Sequence, residues 1–368
     1  MSAAVAYQTL TAPVRAERPA PARLALLGTG NVGSAVLARL ASWRGTPLGA
    51  GLVLVHAASS RRAVSRRTGL AADDVAGALT PATTPGALDA MTAALHGDGS
   101  RIIIDATASE AVAERHAHWL GHGIHVVTAS KLGQGATLAR WRAIGAACAR
   151  GGTRYGDRAT VGAGLPLLRS IRELRAGGDR IRAITGVLSG SLAWLCNHHD
   201  GTRPFSALVR AARAAGYTEP DPRDDLSGAD VRRKLLILAR AAGFELDAAD
   251  VDVASLVPPD LAALATDDVD AALPLLDAPL QAVHRAAVAR GEQLRFVARL
   301  EDGRATVGLT SLPPSHPLAG GAGTDNKVAI WSDRYRAQPL VIQGPGAGAA
   351  ITAAGLLDDV LAIASPQT

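Results

Sequence analysis

The stretch Arg23-Leu-Ala-Leu-Leu-Gly-Thr-Gly-Asn-Val-Gly33 sets the architecture of the first half of the chain. Its first five residues form an apolar run of the length of a buried strand, and a helical pattern follows from Ser34 to about Trp43. The glycines between them, Gly28, Gly30 and Gly33, fit the spacing G-x-G-x-x-G. A strand, a tight glycine turn and a helix in this order are typical of a dinucleotide-binding unit.

Each glycine of this turn has a separate predicted role. Gly28 permits the tight turn, Gly30 lets a pyrophosphate approach the backbone, and Gly33 lets the helix pack against the strand. The free N–H groups at the start of the helix then face the phosphates. We expect a dinucleotide to bind here; the alternative is a tight turn without a ligand.

The following segments continue the same alternation of strands and helices. Strands are predicted at Leu52–Ala58, Arg101–Asp105 and Ile124–Thr128, and a helix at Glu110–His122. This alternation indicates a parallel sheet that is covered on both faces. We therefore expect an α/β domain of the Rossmann type over residues 23–157.

From about Arg158 the pattern changes to that of an α+β domain, which we place at residues 158–335. The predicted helices are Phe205–Ala215, Val231–Ala242 and Leu280–Arg290, and the predicted strands are Ile181–Leu188, Leu294–Leu300, Ala305–Leu312 and Lys327–Trp331. Residues 336–368 contain a glycine loop and a helix, Ala349–Ala364, and are expected to pack back on the nucleotide domain. Residues 1–22 are predicted to be a flexible lead-in.

The end of the second strand predicts which cofactor binds. An acidic residue at this point would bind the ribose hydroxyls of NAD. The chain instead has Ala58-Ser-Ser-Arg-Arg62, in which Arg61 and Arg62 can meet a 2′-phosphate. This favours NADP over NAD, and the alternative is that both arginines are solvated surface charges.

A second informative block, Gly216–Lys234, combines five carboxylates with one lysine. The carboxylates belong to Glu219, Asp221, Asp224, Asp225 and Asp230. Two prolines exclude the first part of the block from a helix interior, while the second part reads as a helix. Asp230 and Lys234 then share one helix face. The block can hold a small ammonium-bearing molecule while the lysine moves a proton; the alternative is an ordinary surface ion pair.

Lysine is scarce in this chain. Of 38 lysines and arginines, only Lys131, Lys234 and Lys327 are lysines. Arginine does not release its proton near neutral pH, whereas a desolvated lysine does. The remaining lysines are therefore candidates for positions where arginine cannot serve.

Composition excludes several classes of function. The net charge of +5 is modest and no basic run is interleaved with aromatic residues, so no nucleic-acid partner is expected. Cys148 and Cys196 are too few for a disulfide framework or a zinc site. Without a hydrophobic signal core or a membrane-spanning run, the protein is expected to be cytoplasmic, with no membrane partner.

Together these motifs resemble those of the homoserine dehydrogenase family, in particular the dehydrogenase module of the bifunctional aspartokinase–homoserine dehydrogenases. The matching segments occur in the family's order and cover nearly the whole chain from about Arg23. They are Gly28–Gly33, Asp105–Ser109, His125–Thr128 with Lys131, Val161–Pro166, Leu188–Leu192, Gly216–Lys234 and Gly344–Gly355.

The resemblance implies NAD(P)-dependent interconversion of L-homoserine and L-aspartate 4-semialdehyde. Lys234 would donate and accept the proton, Glu219 and Asp230 would bind homoserine, and Lys131 would stand near the nicotinamide and the substrate. The residues lining the cofactor would be Gly30, Asn31, Val32, Thr107, Gly216 and Gly348. A base serves best with a pKa near the working pH, and burial together with the cation of Lys131 would lower the pKa of Lys234.

The resemblance also implies a sodium or similar ion held by main-chain oxygens of Arg158, Val161, Ala163 and Leu165. Arg158 departs from the family pattern, in which an acidic residue or its amide is common. Ser130 departs as well, because the family usually has asparagine before the lysine that corresponds to Lys131. Ser130 is shorter and would hold the nicotinamide amide less well.

The family's sheet in the second domain forms dimers, so a homodimer is expected. We expect neither an aspartokinase module before this sequence nor a regulatory domain after its last helix, and therefore no allosteric control by such domains. Two rival hypotheses stand beside the active enzyme. One is a catalytically silent NADP(H)-binding sensor on the same scaffold, and the other is a dehydrogenase for another amino-acid-derived alcohol or aldehyde.

Overall fold

The computed structural model describes residues 20–365, apart from the side chains of residues 84–86, and its first half is built on a seven-stranded sheet. The strands are β1 (Ala22–Leu27), β2 (Leu52–Ala58), β3 (Arg62–Ser65), β4 (Thr80–Pro81), β5 (Arg101–Asp105), β6 (His125–Thr128) and β7 (Tyr155–Gly156). Their order is β4-β3-β2-β1-β5-β6-β7. The strands from β2 to β7 in this order are parallel.

One edge of this sheet is antiparallel, because β3 pairs antiparallel with β2 and β4 pairs antiparallel with β3. The N–H of Ser59 donates to the carbonyl of Arg62 over 2.8 Å and closes a tight turn after β2. A connection this short can join only antiparallel strands. The predicted strands are parallel to one another, as expected, and the antiparallel strands β3 and β4 are additions that the sequence did not predict.

Helices cover both faces of the first sheet. The α-helices of the chain are α1 (Asn31–Ser42), α2 (Pro47–Ala50), α3 (Val75–Ala78), α4 (Thr84–Leu95), α5 (Glu110–Ala113), α6 (His116–Gly121), α7 (Leu138–Gly151), α8 (Leu167–Ala176), α9 (Gly190–His198), α10 (Phe205–Ala214), α11 (Pro222–Leu226), α12 (Ala229–Ala241), α13 (Pro259–Ala262), α14 (Val269–Ala272), α15 (Asp277–Ala289) and α16 (Ala349–Ala364). Val36 of α1 and Leu356 of α16 are buried on one face, and Met91 of α4 and Trp119 of α6 on the other. The C-terminal helix thus returns to the nucleotide-binding fold, as predicted.

The second half of the chain contains a six-stranded sheet. Its strands are β8 (Ile181–Val187), β9 (Val251–Val253), β10 (Gln293–Glu301), β11 (Arg304–Leu312), β12 (Asp325–Ser332) and β13 (Leu340–Pro345), in the order β13-β12-β8-β10-β11-β9. Helices α8, α9, α10 and α12 contribute buried apolar residues to one face of it. The predicted fold class, a Rossmann-type unit followed by an α+β unit, is confirmed, while the proposed boundaries at residues 157 and 335 stay predictions.

Two local predictions need correction, and one lies outside the described residues. The helix predicted at Glu110–His122 is divided into α5 and α6. Between them the N–H of Arg115 donates to the carbonyl of Val112, three residues back, and this tighter turn interrupts the α-helix. The acidic block contains the short helix α11, since Pro222 occupies its first turn, where a missing N–H costs nothing. Of the predicted lead-in, residues 1–19 are not described, and Ala22 already belongs to β1.

None of the helices between residues 20 and 365 combines the length and the apolar character that crossing a bilayer requires.

Candidate active site

Two lysine amines meet at one carboxylate between the two halves of the molecule. Nζ of Lys234 lies 2.9 Å from Oδ2 of Asp230, and Nζ of Lys131 lies 3.4 Å from Oδ1 of the same residue. The sequence predicted that Asp230 and Lys234 share a helix face. The structure adds that Lys131, about a hundred residues earlier in the chain, joins them.

The elements that carry these groups explain the meeting. Asp230 lies in the first turn of α12, where the helix dipole favours a negative charge, and Lys234 follows one turn later. Helix α12 begins at Gly228, whose φ of 75° is left-handed; a Cβ at that position would lie 2.9 Å from Cζ of Phe296. Lys131 lies in the loop that follows β6, at the carboxyl edge of the first sheet.

Lys234 is the more enclosed of the two amines. Its side chain is 12% exposed, and Nζ donates a hydrogen bond of 2.6 Å to the carbonyl of Leu188. Burial lowers the pKa of Lys234 below its ordinary value, the charge of Lys131 lowers it further, and the charge of Asp230 opposes both. Lys234 is therefore suited to exchange a proton.

Asp230 remains a carboxylate in this cluster. Burial alone would raise its pKa, but the ammonium groups of Lys234 and Lys131 outweigh burial and lower the pKa to about 2. Its side chain is 44% exposed, so solvent screens part of both ion pairs. The cluster therefore has an open side through which a small polar molecule can reach it.

Asp225 braces the acidic block beside the cluster. Its Oδ1 accepts a hydrogen bond of 2.6 Å from the hydroxyl of Ser191, and its Oδ2 accepts one of 2.8 Å from the N–H of Glu219. Asp221 caps α11 and pairs with Arg223. The side chain of Glu219 is exposed and makes no ion pair among the described residues. The structure therefore assigns Asp221 and Asp225 to the shape of the block.

A cavity of about 510 Å³ lies over the glycine turn. It is lined by Leu27, Gly28, Thr29, Gly30, Ala58, Ser59, Ser60, Ala87, Leu88, Thr107, Ala108, Ser109 and Val112. Gly28 has a φ of 92°, and a Cβ there would lie 2.7 Å from the carbonyl oxygen of Ala106. A Cβ at Gly33 would lie 1.8 Å from the carbonyl oxygen of Gly28, whereas a Cβ at Gly30 would face open space. Gly28 and Gly33 therefore shape the turn, and Gly30 leaves room for a ligand.

Several residues predicted to contact the cofactor lie outside the lining of this cavity. Asn31 and Val32 begin α1, Gly216 follows α10, and Gly348 precedes α16. Arg61 and Arg62 also lie outside the lining, but they adjoin its residues Ser59 and Ser60, and both are exposed. Neither arginine has a carboxylate partner within the described residues.

A buried network connects the cavity to the loop of Lys131. Asp105 accepts hydrogen bonds from the N–H and the hydroxyl of Thr107, at 2.9 and 2.6 Å, and from the hydroxyl of Thr128 at 3.1 Å. It also pairs with Nε2 of His116 at 3.1 Å. The sequence pattern did not single out Asp105 or His116 as site residues, since the pairing depends on the fold.

Ser130, which departs from the family pattern, is held by this network. Its N–H donates a hydrogen bond of 2.9 Å to the hydroxyl of Thr128, and its own hydroxyl accepts one of 3.3 Å from the N–H of Leu132. It is buried. Ser130 therefore shapes the turn that presents Lys131.

The loop predicted to hold an ion is well packed. Val161 and Ala163 are buried, and Ala163 has a φ of 50°, which is unusual for a residue other than glycine. The guanidinium of Arg158 pairs with Asp359 of α16 at 2.7 Å. Within residues 20–365 no group of three histidine, cysteine or acidic side chains could hold a metal, so an ion at this loop would depend on carbonyl oxygens. The carbonyl of Leu165 already accepts from the N–H of Leu167 at 2.8 Å.

Two family models cover most of the chain. The model described as "Homoserine dehydrogenase, NAD binding domain" matches residues 28–155, and the model described as "Homoserine dehydrogenase" matches residues 166–361. The chain belongs to the homoserine dehydrogenase family. It carries a fold that binds a nicotinamide dinucleotide, as the sequence predicted.

Individual relatives agree with this membership. The chain is 41% identical over 284 residues to a bifunctional aspartokinase/homoserine dehydrogenase of Arabidopsis thaliana, covering 76% of this chain and 31% of that protein. It is 36% identical over 366 residues to a homoserine dehydrogenase of Emericella nidulans, covering 94% of this chain and 98% of that protein. The chain thus spans about a third of the bifunctional relative and nearly all of the fungal one.

Solved structures share the fold. A hyperthermophilic archaeal homoserine dehydrogenase mutant in complex with NADPH superposes with a TM-score of 0.71 at 19% sequence identity, covering 93% of this chain and 97% of that one. At this identity the likeness establishes the fold alone.

Proposed function

We propose that this chain catalyses the NAD(P)-dependent interconversion of L-homoserine and L-aspartate 4-semialdehyde, a step of threonine and methionine biosynthesis. The observation that carries the proposal is the cluster in which the amines of Lys131 and Lys234 contact the two oxygens of Asp230. Lys131 follows β6, and the neighbouring strand β5 leads to Thr107, which lines the nucleotide cavity. Membership of the family supports the same reaction.

The chemistry divides between the cofactor and the chain. A bound nicotinamide supplies hydride transfer, to or from C4 of the substrate. In homoserine oxidation the neutral amine of Lys234 accepts the hydroxyl proton, and its lowered pKa makes the neutral form accessible. In the reverse direction the ammonium of Lys234 polarises the aldehyde oxygen and returns the proton.

The acidic block is proposed to bind the ammonium group of homoserine. Glu219 offers an exposed carboxylate whose backbone is fixed by Asp225, and a charge-assisted hydrogen bond to an ammonium is stronger than a neutral one. Asp230 would orient the substrate from the other side. Its low pKa keeps it charged at any working pH.

NADP is proposed as the preferred cofactor, with NAD as the alternative. Arg61 and Arg62 are exposed beside Ser59 and Ser60 of the cavity, and no acidic residue occurs between residues 58 and 62. Guanidinium groups suit a 2′-phosphate, because they present several N–H donors in a planar fork.

Further proposals concern an ion and the assembly. A site for a sodium-type ion on the main-chain oxygens of Arg158, Val161, Ala163 and Leu165 is proposed from the family resemblance. A homodimer follows from the family resemblance and is tested by light scattering. The free cysteines Cys148 and Cys196 support a reducing compartment such as the cytoplasm.

The decisive experiment measures the absorbance of reduced nicotinamide with homoserine and NADP as substrates. We expect turnover by the purified chain. NADPH binding without any turnover would favour the sensor, and turnover only with another amino-acid-derived alcohol would favour the third hypothesis.

Lys234→Ala tests the mechanism within the same assay. It should lower kcat at least about a hundredfold, because the proton acceptor is lost, while NADPH binding persists. Lys327→Ala is the matched control and should leave kcat unchanged, since that lysine lies on β12 and donates to the carbonyl of Gly320. Substantial activity in Lys234→Ala would remove Lys234 from the mechanism.

A further inference from the structure

Arg240 is a buried cation that contacts only carbonyl groups. It lies on α12, less than two turns after Lys234, and is 2% exposed. Its Nη1 donates to the carbonyl of Gln134, its Nη2 donates to Ala136 at 3.0 Å and to Leu246 at 2.8 Å, and its Nε donates to Leu246 at 3.1 Å. No carboxylate in the described part of the chain forms an ion pair with it. Burial lowers the pKa of Arg240, and the charge of the nearby Asp247 opposes this only in part.

Burying such a side chain is destabilising, so the groups that satisfy it indicate which part of the molecule it positions. A charge removed from water without a counter-charge is destabilising unless good hydrogen bonds replace its hydration. The N–H groups of Arg240 donate to carbonyls of two segments of the chain. The carbonyls of Gln134 and Ala136 belong to the loop of residues 131–137. That loop begins with Lys131.

The same loop packs directly on the backbone of α12. A Cβ at Gly135 would lie 2.9 Å from the carbonyl oxygen of Arg233 and 2.7 Å from that of Lys131. The N–H of Gly135 also donates to the carbonyl of Lys131 at 2.7 Å. The loop is therefore folded tightly, and Gly135 lies close against Arg233 of the helix.

The other end of the loop is fixed to the first sheet. Ser130 is bonded to Thr128, which is bonded in turn to the buried carboxylate of Asp105. These contacts fix where the loop leaves the sheet, but they do not reach α12. The hydrogen bonds from Arg240 to Gln134 and Ala136 connect the loop to α12, the helix that carries Lys234.

We propose that Arg240 is a positioning residue that fixes the loop of Lys131 against α12, so that the amines of Lys131 and Lys234 meet at Asp230. This inference rests on the proposed function. Arg240 contacts neither amine; it acts through the carbonyls of Gln134 and Ala136. A lysine at this position would keep the charge but could not bridge several carbonyls at once.

A matched control is available at the same junction. Arg142 of α7 pairs with Glu245, just after α12, so this pair joins the same two parts of the molecule. Both side chains are more than half exposed, and exposed pairs contribute little. Arg142→Met therefore removes an arginine without loosening the loop.

The test compares Arg240→Met, Arg240→Lys and Arg142→Met in the full chain, with homoserine and NADP. Arg240→Met should lower kcat about 10- to 100-fold, because small displacements of a catalytic group have effects of this size, and added guanidinium should restore part of it. Arg240→Lys should lose nearly as much, and Arg142→Met should stay within about twofold. The rising limb of the pH profile should move to higher pH in Arg240→Met, because Lys131 lowers the pKa of Lys234 and moves away from it in this variant. An unshifted profile without guanidinium rescue would overturn the proposal.

Hydrogen exchange separates this proposal from the proposed function. Amides of residues 131–137 should exchange faster in Arg240→Met than in the wild type, whether or not homoserine is turned over. Unchanged exchange would contradict the proposal that Arg240 fixes this loop against α12. If Arg240→Met does not fold, Gly135→Ala displaces the loop with Arg240 intact and should move the pH profile and the exchange in the same directions. A wild type without turnover would refute the function but leave the exchange result decisive for Arg240.

Discussion

Replacing Asp230 with asparagine removes the carboxylate that contacts both lysine amines. In the wild type this charge favours the ammonium form of Lys234 and opposes the effect of burial. Asparagine keeps the shape but not the charge. We therefore expect the pKa of Lys234 to fall further in Asp230→Asn.

The size of this change follows from the contact. At the observed 2.9 Å, Coulomb's law gives about 6 kcal/mol at an effective dielectric constant of about 20 and about 1.4 kcal/mol in bulk water. Because the side chain of Asp230 is 44% exposed, solvent screening favours the lower part of this range. We take about 1–3 kcal/mol as the stabilisation of the ammonium form that Asp230→Asn removes, and this loss lowers the pKa of Lys234.

The pH dependence gives this prediction its sign. Homoserine oxidation requires neutral Lys234, so kcat rises with pH through the pKa of that amine, and a lower pKa moves the rise to lower pH. Aldehyde reduction requires the ammonium, so its rate in the variant should fall at lower pH than in the wild type.

The assay is single-turnover hydride transfer at saturating homoserine, measured by stopped flow across pH. Saturation is needed because Asp230 is also proposed to bind the substrate. Asp224→Asn is the matched control, since Asp224 loses the same charge from an exposed position in the same block. A rise that stays in place in Asp230→Asn, or moves to higher pH, would refute the assignment of the titrating group to Lys234.

Three further changes test the remaining roles. Glu219→Gln should raise KM for homoserine about tenfold with little change in kcat, because it removes a charged partner of the substrate ammonium; an unchanged KM rejects that role. The double variant Arg61→Ala with Arg62→Ala should shift the kcat/KM ratio of NADP to NAD at least about tenfold toward NAD; an unaltered ratio would place the 2′-phosphate elsewhere. Exchanging sodium for choline should lower the melting temperature if the carbonyls near Ala163 hold an ion, and equal melting temperatures count against that site.

The first half of the fold could be predicted from sequence because its signals are local. The glycine turn at Gly28–Gly33 and the apolar strands fix their own backbone, and β2 and β5 were located to the residue. The antiparallel edge was missed, because a turn of polar residues at Ser59 reads equally well as a loop. The division of the predicted helix near Arg115 depends on one hydrogen bond to Val112 that has no composition signal.

The site was predictable only where its members share one element. Asp230 and Lys234 lie one helical turn apart, so spacing alone paired them, and the scarcity of lysine drew attention to Lys131. Arg240 and Asp105 act through partners that the fold brings from distant parts of the chain. In a sequence rich in arginine, a buried guanidinium looks the same as a solvated one until its surroundings are known.

The titration of Lys234 tests the central claim most directly. With only three lysines in the chain, protein labelled with ¹³C at lysine Cε should give three resonances, which single-lysine variants assign. We predict that the Lys234 resonance titrates below the ordinary lysine pKa in the wild type, and that Lys131→Met raises this midpoint because a neighbouring cation is lost. A Lys234 midpoint at or above the ordinary value, insensitive to Lys131, would contradict the account.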